Sequence, residues 1–151
     1  MIIIRKAING DRDIIAHFQE KMAYETEQVK LDPSVVRKGV KAVLDDTAKG
    51  CYYVAEMEGR TTGCLLTTYE WSDWRNGKIL WIQSLYVIPE YRNQGIFRKL
   101  FDHIKLIVEG DPHLKAIRLY VDKTNQTAIN VYRKFGMDNE HYQLFEWIKG
   151  S

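Results

Sequence analysis

The sequence predicts a single α/β domain built around a mixed central sheet, and three observations predict it. Runs rich in β-branched and aromatic residues alternate with amphipathic helical stretches in the order β-α-α-β-β-β-α-β-α-β. The stretch Ile79 to Ile88 carries apolar residues on both faces, as a central strand covered from two sides must. A β-α-β run follows it, and parallel neighbours need such a crossover helix, whereas the earlier strands are close enough for antiparallel hairpins.

Each element has a local reason. Met1 to Lys6 reads as a short opening strand. Asp11 stands where a cap belongs for a helix reaching about Thr26, with Ile14, Ile15, Phe18 and Met22 on one face. Asp32 followed by Pro33 marks a second helix start, and Val36, Val40, Val43 and Leu44 form its apolar stripe. Cys51 to Met57 and Thr61 to Tyr69 read as strands joined by the tight Glu58-Gly59-Arg60 turn. EWSDWRNG then reads as a loop leading to the long strand Ile79 to Ile88. Further on, Phe97, Leu100, Phe101, Ile104 and Val108 fall on one side of a helix. Ala116 to Val121 is strand-like, Gln126 to Phe135 is a helix stopped by Gly136, and Tyr142 to Ile148 reads as a closing strand.

Bulk properties narrow the function. The 151 residues suit one domain with one core. A net charge of +2 with no long like-charge block argues against a nucleic-acid partner. The opening MIIIRKA is too short an apolar run for a signal-peptide core or membrane span, so no membrane association is expected. Cys51 and Cys64 sit in separate strand-like runs without CxxC spacing, as reduced thiols do, and a cytoplasmic location is expected. His17, His103, His113 and His141 lack metal-ligand spacing, so no metal is expected.

The stretch LYVIPEYRNQGIFRKLF carries the chemistry. Gly95 stands just before a helix that has no acidic cap. A helix start offers unpartnered N–H groups and partial positive charge, and a glycine lets an anion approach the backbone. Arg92 and Arg98 flank it. There is no Lys-Ser/Thr after Gly95 and no GxGxxG, so neither a Walker A loop nor a dinucleotide turn is present. Read alone, this stretch is better taken as an ordinary strand-to-helix turn, since glycine-containing turns of that kind are common. In DKTNQTAINVYRKFGM, Asn125, Ala128 and Tyr132 share one helical face, an arrangement suited to a long ligand with amide groups. Their plain alternative is a cap, a packing residue and a core aromatic.

The two stretches together resemble the GNAT superfamily of N-acetyltransferases, which use acetyl-CoA. The family's R-x-x-G-x-G/A appears as Arg92-Asn93-Gln94-Gly95-Ile96-Phe97, and its N-x-x-A-x-x-x-Y as Asn125, Ala128 and Tyr132. The element order matches as well. The resemblance implies a GNAT-like fold of about six or seven strands, splayed at the acyl-CoA site and flanked by about four helices. It implies that the amides from Arg92 through Asn93, Gln94, Gly95, Ile96 and Phe97 to Arg98 hold the coenzyme diphosphate. It further implies pantetheine contacts along Leu85, Tyr86 and Val87 and at Asn125 and Ala128, with Tyr132 near the thioester sulfur. Two positions depart from the family: Phe97 replaces the usual small residue, and Gln83 stands where many members have a strand Glu. The Phe97 ring falls on the helix's apolar stripe and is expected to point toward the core.

Gln83 has no useful basicity, so it can only orient a water or the acceptor amine. An alkylamine with pKa near ~10 must lose a proton before it attacks a thioester. A water relay ending at Glu70, Asp73, Glu25 or Glu27 is one route, although Glu25 and Glu27 also read as a solvated helix end. The resemblance and the ordinary phenol pKa of ~10 nominate Tyr132 as the acid on the leaving thiolate, in a direct ternary-complex transfer. Trp71 and Trp74 beside Glu70 and Asp73 suit an ammonium acceptor, so a small-molecule amine is expected. The same tryptophans could instead pack on the domain edge or in a homodimer. A protein lysine or N-terminal acetyltransferase and a non-catalytic acyl-CoA-binding module are the alternatives, with Gln83 favouring the last.

Overall fold

The computed structural model describes residues 1–150, which form two compact units, Met1–Arg118 and a second from Leu119 onward. The first unit runs β1 (Ile2–Lys6), α1 (Arg12–Glu27), α2 (Pro33–Asp45), β2 (Cys51–Met57), β3 (Arg60–Ser72), β4 (Gly77–Val87), α3 (Ile96–Gly110) and β5 (Leu114–Arg118). These five strands lie in one sheet in sequence order, with β1 to β4 antiparallel and β5 parallel to β4. The fold class is therefore α/β with a mixed sheet, but the sheet has five strands among the described residues rather than six or seven.

Short-range chemistry explains the meander. Glu58 and Gly59 both have positive φ, 56° and 73°, the conformation that a two-residue hairpin needs to match strand twist. The loop expected at EWSDWRNG is half strand. β3 continues to Ser72 and β4 starts at Gly77, with Glu70 opposite Ile79 and Trp71 opposite Lys78, leaving only the tip 73–76. Trp71 is thus a strand residue, because the period-two pairing outlasts the apolar run that marked the strand in the sequence.

Helices cover both faces of the sheet. On one face α1 and α2 pack Ile15, Phe18 and Val40 against Tyr52, Val54, Cys64 and Tyr86. On the other lies α3, whose His103 ring meets Tyr53 at 5.2 Å. Ile96, Leu100, Phe101 and Ile104 are its buried residues, so Ile96 takes the coreward place and Phe97 is half-buried.

Asp32 caps α2 as expected, accepting from Ser34 N–H at 2.9 Å. Asp11 precedes α1 but makes no side-chain cap. Its carboxylate instead accepts from both Arg5 Nη atoms, at 2.8 and 3.0 Å, and from Ile8 N–H at 2.8 Å. A guanidinium offers a two-pronged charge-assisted partner that a single amide cannot match.

In the second unit, α4 (Gln126–Lys134) starts at Asn125, whose Oδ1 accepts from Ala128 N–H at 3.1 Å. Gly136, at φ 87°, ends it. The closing strand expected over Tyr142 to Ile148 is absent, and the segment is irregular. Its aromatic and branched residues favour a pleated surface, but a strand exists only where a hydrogen-bonded neighbour completes the ladder.

Candidate active site

The functional geometry of the first unit begins at a defect in β4. The register with β3 slips between Cys64 and Leu66, and Ser84 opposite has φ 53°. This bulge returns Tyr86 to the face that carries Gln83. The ladder with β5 spans only Lys78 to Trp81, so Ile82 to Val87 have no strand partner on that side within the unit. Leu85 and Val87, the alternate positions expected to meet an extended ligand, lie in this stretch.

Beyond β4 the chain passes through a 3-10 turn at Pro89–Tyr91 and then enters α3. Asn93 and Gly95 both have positive φ, 64° and 87°, and no side chain caps the helix. The first bond inside the helix runs from Lys99 N–H to Gly95 C=O, at 3.0 Å. A Cβ at Gly95 would meet nothing within 4 Å, so the space above the turn is open. This is a bare, positively polarised helix entrance with room for an anion. Gln94 Nε2 donates to Glu90 C=O at 3.4 Å, and Arg98 Nε to Asp102 at 3.3 Å.

Arg92 does something the sequence did not suggest. Its Nε donates to Val87 C=O at 2.8 Å, and its two Nη atoms grip Glu25 at 2.6 and 3.0 Å. The guanidinium lies 5.4 Å over the Tyr86 ring, and Tyr86 OH donates to the same carboxylate at 3.3 Å. The end of α1 is thereby latched to the turn. The Arg92 guanidinium holds the Glu25 carboxyl below its ordinary range, while burial pushes the Tyr86 phenol up. Nothing in the pattern marks a contact between residues 67 positions apart.

A polar strip occupies the α1 face of the sheet below Tyr86. Gln83 Nε2 donates to Thr68 Oγ1 at 2.7 Å. Glu70 accepts from Trp81 Nε1 at 2.8 Å and from Arg118 Nη1 at 2.9 Å, so three strands share one carboxylate. Arg118 was not nominated from the sequence, because its partner lies two strands away. Strand alternation puts Trp71 on the face opposite Glu70. Trp74, at 89% exposure, sits in the turn after β3 with Asp73. The four residues grouped as one acceptor loop are therefore divided between two faces and a turn.

In the second unit, Asn125, Ala128 and Tyr132 follow the register expected of them, with Asn125 as the cap. Burial pushes the Tyr132 phenol up to about 12.

Comparison with known proteins agrees with this geometry. A family model for the GNAT acetyltransferases matches residues 15–137. The thialysine N-epsilon-acetyltransferase of Bos taurus is 30% identical over 151 residues, spanning 89% of this chain and 83% of that protein. N-alpha-acetyltransferase 50 of Danio rerio is 38% identical over 64 residues, but the match covers 42% of this chain and 38% of that protein. Among solved structures, a possible acetyltransferase from Clostridium difficile 630 superposes with a TM-score of 0.92 at 45% identity, covering 98% and 97% of the two chains. A predicted acetyltransferase from Clostridium acetobutylicum solved with acetyl-CoA shares the fold at TM-score 0.76 and 17% identity, over 97% and 96%.

The chain belongs to the GNAT acetyltransferase family. It is an acyl-CoA-dependent acyltransferase with acetyl-CoA as cosubstrate. The residues fit that molecule: the open, uncapped turn at Gly95 suits a diphosphate, and the unpaired length of β4 suits an amide-bearing arm. Among the described residues no helix is long and apolar enough to cross a membrane.

Proposed function

We propose that the protein transfers the acetyl group to a primary amine of a small molecule, directly and within a ternary complex. The observation that carries this reading is the 30% identity to a thialysine acetyltransferase over nearly the whole chain. The N-terminal acetyltransferase shares only a 64-residue stretch, which favours a protein acceptor less.

Acetyl-CoA supplies an activated carbonyl on a good leaving group. This chain's residues do the rest. Backbone donors from Arg92 to Arg98 hold the diphosphate, and the Leu85–Val87 edge receives the arm; in the second unit, Asn125 and Ala128 are the residues proposed to contact the same molecule. The Oδ1 of Asn125 is committed to its cap, so its amide nitrogen is the donor toward a ligand. Gln83, with Nε2 on Thr68, presents its carbonyl oxygen as an acceptor for an amine or water. Glu70, fixed by Trp81 and Arg118, holds a negative charge on the same face and is the proposed end of a water relay. Asp73 and Trp74, in the hairpin turn, draw the cationic acceptor toward the site, while Trp71 faces away from it.

Tyr132 donates a hydrogen bond to the departing sulfur. With the phenol at about 12 and an ordinary thiol near ~8.5, the phenol is the weaker acid by about three orders of magnitude. It therefore stabilises the thiolate without surrendering its proton fully.

A thiol-release assay tests the proposal across thialysine, lysine, polyamines and short peptides. Turnover with small diamines or amino acids and none with peptides is expected. Turnover with peptides alone would transfer the activity to a protein acceptor, and coenzyme binding without release for any amine would leave a binding module.

A further inference from the structure

A cavity of about 830 Å³ opens between α1, the β2–β3 turn and the Pro89–Tyr91 turn. It lies at the end of the sheet where Gly63 faces Val87, and neither Gln83, Glu70 nor any tryptophan lines it. Its floor is apolar, made by Phe18, Tyr86 and Ile88. The Phe18 and Tyr86 rings pack there with centroids 5.4 Å apart and planes tilted by 42°.

Its charged lining, Lys21 and Arg60 with Glu25 and Glu90, sums to zero, but both carboxylates already have partners. Glu25 is answered by Arg92 at 2.6 Å, and Glu90 by Arg60 at 3.5 Å. Lys21 also lines the cavity, one helical turn after His17. Among the described residues neither makes a hydrogen bond or ion pair, and Lys21 reaches Glu25 only by through-space attraction. The walls therefore keep an uncommitted ammonium, an imidazole and the Thr61 hydroxyl above an aromatic floor. A lysine ammonium without a hydrogen-bonded partner beside an aromatic surface is complementary to a molecule with one anionic end and one apolar end.

We propose that this cavity is a second ligand site, for a small organic monoanion: a carboxylate on an aromatic or branched apolar body. The carboxylate sits on Lys21, with His17 and Thr61 as further donors, and the body lies on Phe18, Tyr86 and Ile88. The site does not depend on the transferase reading, and its test needs no coenzyme.

The test is an amide NMR titration of the full chain with benzoate, its neutral isostere benzamide and its cationic counterpart benzylamine. Benzoate is expected to give saturable shifts at Lys21, Thr61 and Ile88, with benzamide at least about tenfold weaker. Lys21 is exposed, so Lys21→Gln should leave the rest of the spectrum intact. It should weaken benzoate by about tenfold, and Lys21→Glu should abolish its binding. The proposal is overturned if benzoate gives no saturable shift, if its shifts map elsewhere, if benzylamine binds more tightly, or if both Lys21 variants bind benzoate as the parent does.

Discussion

Single side chains set two measurable properties. Asp11 is nearly buried, bonded to both ends of the Arg5 guanidinium and to Ile8 N–H, and these bonds hold its carboxyl below the ordinary range. A carboxyl whose folded pKa is depressed adds stability above its unfolded value, near ~3.9, and loses it as pH falls through the folded value. Asp11→Asn should therefore cost about 1–3 kcal/mol at pH 7 in urea denaturation, and less than that at pH 3. An equal cost at both pH values would assign the effect to packing. Tyr132 is the second case. With its phenol at about 12, Tyr132 stays protonated across the working range. Tyr132→Phe should lower kcat by about ten- to a hundredfold with acetyl-CoA affinity retained. The parent's pH profile should show no alkaline loss below about pH 10 that the variant lacks.

At the scale of elements, the turn between β4 and α3 depends on what braces it. The Glu25–Arg92 latch can be tested by a change of sign. If Arg92 positions the turn, Glu25→Gln loosens it and weakens acetyl-CoA by about three- to tenfold. If Arg92 is a diphosphate ligand held back by Glu25, the same variant binds acetyl-CoA more tightly, and calorimetry separates the two. Glu25 is held below its ordinary range, so the latch is intact above ~4.3 and fails only as pH falls below that. Elements with local signals were legible beforehand. Cys51 to Met57 matched its strand, Asp32-Pro33 its helix start and Gly136 its helix stop, because periodicity, a fixed φ and a left-handed stop act over a few residues. The bulge at Ser84 was not legible, since serine has no preference for positive φ and the slip is set by pairing with β3. Trp71 and the segment Tyr142 to Ile148 failed for the same reason: a strand begins and ends where its neighbour does.

Across the whole molecule, family membership, the uncapped helix entrance and the polar strip on β3 to β5 describe one enzyme. The turn at Gly95 and the cap at Asn125 were readable because their backbone chemistry acts over a few residues, whereas site roles for these positions and for Ala128 and Tyr132 came from the resemblance to the family. The bracing by Glu25, Arg118 and Thr68 was not, because those contacts cross the sheet or join distant segments. The central claim is that backbone donors at the entrance to α3 hold the diphosphate of acetyl-CoA. Gly95→Asp tests it, since aspartate tolerates the left-handed conformation, the space there is open, and the new carboxylate would occupy the anion's place. Calorimetry with acetyl-CoA should show saturable binding to the parent and at least about tenfold weaker binding to the variant. No binding to the folded parent, or equal binding to both, would contradict it.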